Sequence, residues 1–344
     1  MGYDTALCDK WHLGSKPEWG PQKFGFDHSY GSLAGGVGPW DHRYKKGEFS
    51  ATWHRNGRLV EEPGHVTDLI TREAIQWLES RGTKPFLLYV PFTAVHIPIR
   101  EPDEFLSRVP KEIQGQNRRQ YGANVMHLDD SVGKILAALE RSGKATNTLV
   151  VFSSDNGGLP TAENNSSDYF PNDYAPGPAG GSNLPLRGQK GDVYEDGIRT
   201  PTVARWPGQL KPGKFNGVAH VTDWMPTLCA LAGYTPEEDL KWDGINLWPQ
   251  LEGQAAARPR VIYTAAPGFR SLTVREGDWK LIVRKEAAGN DGSQVPSERK
   301  ELFNLAEDPN ETTNLTAEMP GKAAALQSKL AEMAKRDGDA AAND

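Results

Sequence analysis

Cysteine is scarce in this 344-residue chain, which has only Cys8 and Cys229. Neither stands at a metal-binding spacing, so both read as buried thiols rather than as a disulfide or a thiolate metal site. A basic excess is also missing. The formal net charge is -6, the wrong sign for a surface that neutralises phosphates, so no nucleic-acid partner is expected. No apolar run approaches the roughly 20 residues of a membrane span, so no membrane partner is expected either. The N-terminus shows neither the basic nor the apolar region of a signal peptide, and localisation stays open. Sequons at Asn164, Asn165, Asn310 and Asn314 are too common by chance to mark a secretory route.

The apolar pattern that remains is enough for one large domain and a smaller one. Val66, Leu69, Ile70, Ala74, Trp77 and Leu78 share a helical face, with Gly82 as the stop. Phe86 to Val90 reads as a buried strand, residues 117–141 as a second amphipathic helix, and Leu149 to Ser153 as the next strand. Helices alternating with strands predict an α/β fold, a sheet covered by helices, with ligands at the carboxyl ends of its strands. His96 and Asp155 lie just past two such ends. Residues 157–183 have no apolar period and read as a substrate rim or an insertion. Gly31 to Gly38 has no P-loop lysine and follows no clear strand, which predicts a flexible rim. From 258 the pattern changes to short strands at 261–264, 271–275 and 280–283 and a helix at 322–335, a small antiparallel α+β module.

Several residue types carry chemistry on their own. Asp155 and Asn156 are adjacent hard oxygen donors suited to Ca²⁺ or Mg²⁺, too few by themselves for a tight site. Lys10 and Lys190 are loop cations able to offset an anionic ester. His12 and His96 can move protons near neutral pH. Each also has an ordinary reading as a solvated lysine, a turn cap or a packed ring.

Their order along the chain carries more. Gly2-Tyr3-Asp4-Thr5-Ala6-Leu7 followed by Asp9-Lys10-Trp11-His12-Leu13-Gly14 resembles the GY-x-TA-x-x-GKWHLG signature of type I, formylglycine-dependent sulfatases of the alkaline phosphatase superfamily. FLLYVPFTAVHIP at 86–98, LVVFSSDNGG at 149–158, LPLRGQKGDVYEDGIRTP at 184–201, HVTDWMPTLCALAG at 220–233 and ELFNLAEDPNETTNL at 301–315 resemble later segments of that family, in the same order. The resemblance implies a central mixed sheet sandwiched by helices, alkaline-phosphatase-like, over residues 1–257, and a small C-terminal antiparallel α+β subdomain over 258–344. It implies hydrolysis of sulfate esters. Lys10 and His12 would flank the nucleophile, His96 and Lys190 would contact the sulfate and its leaving oxygen, and Arg187 would support the anion or, the favoured reading, brace its loop. Asp155 and Asn156 would ligate a divalent cation, Ca²⁺ first, with Mg²⁺ or Mn²⁺ as alternatives.

Two departures qualify the resemblance. The family's consecutive metal-binding aspartates on an N-terminal strand, and the C/S-x-P/A-x-R motif that is converted to formylglycine, have no counterpart among these residues; Asp129-Asp130 falls in the wrong place, within a helix. The chain is therefore expected to lack the family's N-terminal segment, and to be a homo-oligomer or to bind a complementing N-terminal fragment. Asp9 stands where the family has glycine, and reads as a solvated turn residue or as an extra oxygen ligand for the cation. Three functions stay open: a sulfatase-type hydrolase of a small-molecule or saccharide ester, a metal-dependent phosphodiesterase using metal-bound water, and an inactive anion-binding remnant.

Overall fold

A computed structural model describes residues 2–285 and 298–341. The chain forms two compact units, one of Met1–Thr148 with Leu159–Gly181, the other of Leu149–Gly158 with Ser182–Asp344.

In the first unit β1 (Asp4–Cys8), β2 (His28–Ser32), β3 (Trp53–Arg55), β4 (Arg58–Leu59) and β5 (Phe86–Tyr89) make a mixed sheet in the order β4-β3-β2-β1-β5. β1 is parallel to both β2 and β5, whereas β3 and β4 run back antiparallel. Asn56-Gly57 connects β3 to β4 with φ of 50° and 77°, the left-handed pair that a two-residue hairpin turn requires. Helix α1 (Val66–Glu79) lays Val66, Leu69, Ile70 and Ala74 against Cys8, Tyr30 and Trp53 of the sheet. The short α2 (Asp103–Arg108) and the long α3 (Gln116–Arg141) complete the layer, with α3 packed along α1.

Both amphipathic helices thus form where the apolar period places them, but β5 departs from its reading as a buried strand. Leu87 is 43% exposed and Tyr89 53%. Leu88 packs on the core beside α1, and since side chains alternate across a strand the intervening residues face outward. A short apolar run does not reveal by itself whether one face or two will be covered. Among the described residues no strand pairs with the far edge of β5.

The second unit holds a two-stranded antiparallel ribbon of β6 (Val150–Ser153) and β7 (Thr202–Arg205), with the short helix α4 (Glu195–Ile198) between them in sequence. Helices α5 (Trp224–Leu231) and α6 (Trp248–Leu251) follow. Next come four antiparallel strands, β8 (Val261–Ala265), β9 (Ser271–Glu276), β10 (Trp279–Lys285) and β11 (Glu298–Asn304), in the order β11-β10-β9-β8. Gly277, at φ 60°, makes the tight turn between β9 and β10. Leu326 and Leu330 of α7 (Pro320–Ala341) pack on Val274, Leu281 and Leu302. This is the C-terminal antiparallel module the short strands predict, with β11 added, running into the start of the ELFNLAEDPNETTNL stretch. No helix of the described residues is long and apolar enough to cross a membrane. Cys8 is buried and Cys229 half-buried, and both are free thiols.

Candidate active site

Because β1, β2 and β5 are parallel, their carboxyl ends open on one edge of the sheet, where the chain must leave regular pairing and side chains become available to a ligand. Past β1 the chain keeps its grip on the neighbouring strand ends. Asp9 N–H donates to Tyr30 O at 2.7 Å, Trp11 N–H to Ser32 O at 2.9 Å, and His12 N–H to Leu33 O at 3.1 Å, while Lys10 N–H reaches Pro91 O at 3.3 Å. Lys10 and His12 are thereby carried to the edge on a fixed backbone. Trp11 between them is structural: its indole N–H donates to Trp19 O at 2.9 Å and its ring packs on Phe24.

The glycine-rich run Gly31–Gly38 is corrected here from a flexible rim to a buried wall of this edge. It begins in the last two residues of β2, and residues 31–38 are all buried. β2 escapes notice in the sequence because HSYGS has no apolar alternation. Its polar groups are satisfied inside the fold, Ser29 Oγ by His54 Nε2 at 3.0 Å and Ser29 N–H by Asn56 at 2.9 Å. The glycines are small for a reason. A Cβ on Gly35 would stand 2.1 Å from His12 Nε2, and one on Gly36 3.4 Å from His96 Nδ1. His12 and His96 therefore approach the same dipeptide from two strand ends, an arrangement that motif spacing alone does not contain.

His96 sits in the segment after β5, and that segment is fastened on both sides. Upstream, Thr93 N–H donates to the carboxylate of Asp9, and Thr93 Oγ1 lies 2.8 and 2.7 Å from the two carboxylate oxygens. Downstream, Asn164 clamps Ile99 by accepting its N–H at 2.6 Å and donating to its carbonyl at 2.9 Å, and Glu101 is buried against His127 and Asn124. Asn164 is fully buried, so that sequon is a structural amide. His96 Nδ1 lies 2.5 Å from Ile97 O.

Asp9 is likewise corrected from a solvated turn residue. It has no exposed surface, its φ is 112°, and Gly31 is so close that a Cβ there would stand 2.4 Å from Asp9 Cα. Burial raises its carboxyl to about 7, against the hydrogen bonds from Thr93 and the charge of Lys10. With both oxygens engaged by Thr93, its carboxylate ties the Lys10 backbone to the His96 segment.

The remaining candidates belong to the second unit. Asp155 and Asn156 follow the end of β6, Asp155 exposed and Asn156 half-buried. Gly157 behind them has no room for a side chain, since a Cβ would stand 1.5 Å from Asp196 O. Lys190 is half-buried on a loop pinned by its own N–H to Gly158 O at 2.8 Å, so the Asp-Asn pair and the lysine loop are held together. Arg187 donates to Glu311 O at 2.9 Å and lies 4.1 Å over the Tyr194 ring, the contacts of a brace. The same loop is locked to the C-terminal sheet by fully buried Lys280, whose ammonium is 2.9 Å from Glu195 and 2.8 Å from Glu311.

A divalent cation fits the Asp155–Asn156 pair in kind. Asn156 donates its amide N–H to Gly157 O at 2.8 Å, so Oδ1 is the atom it can offer beside the Asp155 carboxylate. Two hard oxygens suit Ca²⁺ or Mg²⁺ but fall short of the six to eight that Ca²⁺ takes, so the shell would be completed by other oxygens.

Comparison with known proteins bears on the family and the fold. A family model described as Sulfatase matches residues 1–234. Arylsulfatase J of Mus musculus is 30% identical over 381 aligned residues, covering 97% of this chain and 60% of that protein. N-acetylgalactosamine-6-sulfatase of Mus musculus is 34% identical over 292, covering 81% of this chain and 52% of that protein. The chain thus spans 52–60% of the length of these curated relatives. Among solved structures, Ps i-CgsB in complex with k-i-k-neocarrahexaose superimposes with a TM-score of 0.79 at 28% identity, over 96% of this chain and 71% of that one. PsFucS1 sulfatase from Pseudoalteromonas sp. shares the fold, with a TM-score of 0.74 at 23% identity over 97% of this chain and 71% of that one. The ordered motifs, the mixed sheet with its occupied carboxyl edge and these matches together place the chain in the sulfatase family of the alkaline phosphatase superfamily, whose members generally use a divalent cation.

Proposed function

We propose that this protein hydrolyses sulfate esters carried by a saccharide. The observation that supports it most is the delivery of Lys10, His12 and His96 to one parallel-strand edge, with His12 and His96 against Gly35-Gly36, on a chain of the sulfatase family. The saccharide class rests on two relatives, one named for N-acetylgalactosamine 6-sulfate chemistry and one bound to a neocarrahexaose.

In the overall reaction water adds to sulfur, the bond to the leaving oxygen breaks, and that oxygen takes a proton to leave as the sugar alcohol. Lys10 and Lys190 offset the charge on the non-bridging oxygens, and His96 hands a proton to the leaving oxygen. His12 accepts a proton from the attacking group, and Arg187 steadies the lysine loop. Asp155 and Asn156 hold the cation, Ca²⁺ in this reading, which when bound withdraws charge from the ester oxygens. Asp9 is left out of that ligand set because Thr93 occupies both of its oxygens. We further propose that the chain associates with a second copy or with a complementing N-terminal fragment, for which the exposed Leu87 of β5 offers apolar surface. Light scattering over a wide concentration range would test this, and a monomer throughout that gains nothing from added fragment would contradict it.

The activity test is turnover of a sulfated galactosamine and of a carrageenan oligosaccharide, with a phosphodiester as the counter-substrate. His96→Ala and Lys190→Ala are each expected to lower sulfate release about a hundredfold or more. Turnover of the phosphodiester alone, abolished by a chelator, would replace this reading with a metal-dependent phosphodiesterase. Binding of sulfated sugar without turnover would leave an anion-binding protein.

A further inference from the structure

The seam between α1 and α3 buries polar groups that the hydrolytic reading does not use. His65 immediately precedes α1, Asp68 lies in its first turn, and His127 is in the middle of α3. One donor atom from each of the three lies within 4.8 Å of the others. His127 Nε2 is 3.3 Å from Asp68 Oδ1, close to the spacing of two ligands on a tetrahedral zinc ion with bonds of about 2.0–2.1 Å. His65 is 2% exposed, and its Nε2 makes no hydrogen bond; Glu101 Oε1 lies 3.4 Å from it, off hydrogen-bonding geometry. Asn124 Oδ1 and Ser131 Oγ, one helical turn to either side of His127, are also buried without a partner. Orphaned polar atoms in such a place require a ligand or water.

We propose that His65, Asp68 and His127 form a binding site for a borderline transition-metal dication, Zn²⁺ foremost, separate from the oxygen-donor pair Asp155 and Asn156. Two imidazoles and one carboxylate are the donor set that zinc takes with a fourth position left for water.

The surroundings match those of such a site. Glu101 Oε2 sits 2.7 Å from His127 Nδ1, so it can hold the proton on Nδ1 and leave the Nε2 lone pair for the metal, the carboxylate–histidine–metal arrangement that orients ligands. Asp68 and Glu101 together balance the charge of a dication. Phe105 stacks on the His127 ring at 4.0 Å and Trp40 meets the His65 ring edge-on at 5.1 Å, which walls the site with aromatic surface. The Asp68 side chain is 52% exposed, so it gives an entrance. Metal at His65 Nε2 moves the ring proton to Nδ1 and gives up the long 3.3 Å cap that Nδ1 accepts from Thr67 N–H. That is a weak bond to exchange for a metal bond.

The test uses the whole chain, stripped with a chelator and titrated with Zn²⁺ by calorimetry, with Co²⁺ as a spectroscopic probe. The expected result is one equivalent of Zn²⁺ and the intense visible bands of four-coordinate Co²⁺. Asp68→Asn and His65→Gln should each weaken binding by at least about tenfold, while Asp155→Asn leaves this equivalent in place. Asp68 is half-exposed, so its amide variant is expected to fold, which circular dichroism checks. No zinc equivalent in the wild type, or one that survives both substitutions at full affinity, would overturn the proposal.

Discussion

Two buried carboxylates bracket the His96 segment, and their environments push them in opposite directions. Asp9, upstream, is raised to about 7 by burial, because its partners at Thr93 are neutral and Lys10 compensates only in part. Glu101, downstream, is also buried, yet the His127 hydrogen bond and the charges of His127 and His65 outweigh that burial and hold it at about 2. His127 is in turn pushed up to about 9 against its own desolvation by Asp68 and Glu101. Burial depth is similar in the two places. What differs is whether a countercharge was buried along with the carboxylate, and that decides which end of the segment is a permanent ion pair and which is a near-neutral acid.

The comparison can be broken most directly at Glu101. In chelator-treated protein, Glu101→Ala leaves the His127 imidazole and the Asn124 amide without their acceptor and removes the charge facing His65, and should cost about 3–5 kcal/mol of stability in denaturant unfolding. A loss no larger than that of a surface substitution would show that the ion pair is not what fastens the segment.

Asp9 should behave differently because its effect depends on pH. Its folded pKa lies above the unfolded value, so its contribution is most favourable below about pH 4 and is lost as pH rises through about 7. Asp9→Asn cannot ionise. Its stability relative to wild type should therefore climb between pH 4 and pH 7 by an amount on the order of 3 kcal/mol, then level off. Parallel unfolding midpoints for the two proteins across that range would mean that Asp9 does not titrate there.

Thr93→Val removes the hydroxyl and keeps the shape, with an expected loss of about 1–2 kcal/mol at pH 5. The loss should be larger at pH 8, where the acceptor is charged. Equal losses at both values would contradict the assigned change of state at Asp9.

Gly35→Ala should have the smallest effect on stability, under about 1 kcal/mol, since Gly35 is not among the residues at positive φ. Its Cβ would nevertheless displace His12, and sulfate-ester turnover should fall by about tenfold or more. Unchanged turnover would separate His12 from the chemistry.

Much of this was legible before folding. The α1 and α3 faces followed from Leu69, Ile70, Ala74 and Leu128, Val132, Ile135 at helical spacing, because that period survives whatever the helix packs against. The candidate residues Lys10, His12, His96 and Asp155, past strand ends, and Lys190, on a loop, followed from ordered motifs. Other features gave no such signal. β2 is polar and is satisfied by His54 and Asn56, which come from another strand and its turn. The half-exposed β5 has the same composition as a buried strand. Asn164 looked like a sequon and serves as a backbone clamp. His65 and His127 stood 62 residues apart with no spacing to join them.

The sequence by itself determined the family, the two long helices of the first unit and the kinds of side chain after the strands at 86–89 and 150–153, because these depend on local periodicity and residue chemistry. Only the tertiary structure decided what those side chains do to one another. Asp9 and Thr93 are 84 residues apart, and the proton affinity of Asp9 is set by the water excluded around that contact. Gly31–Gly38 became a wall rather than a rim because two neighbouring strand ends closed over it. Distance and desolvation both arise from segments remote in the chain, so neither can be read from any one of them.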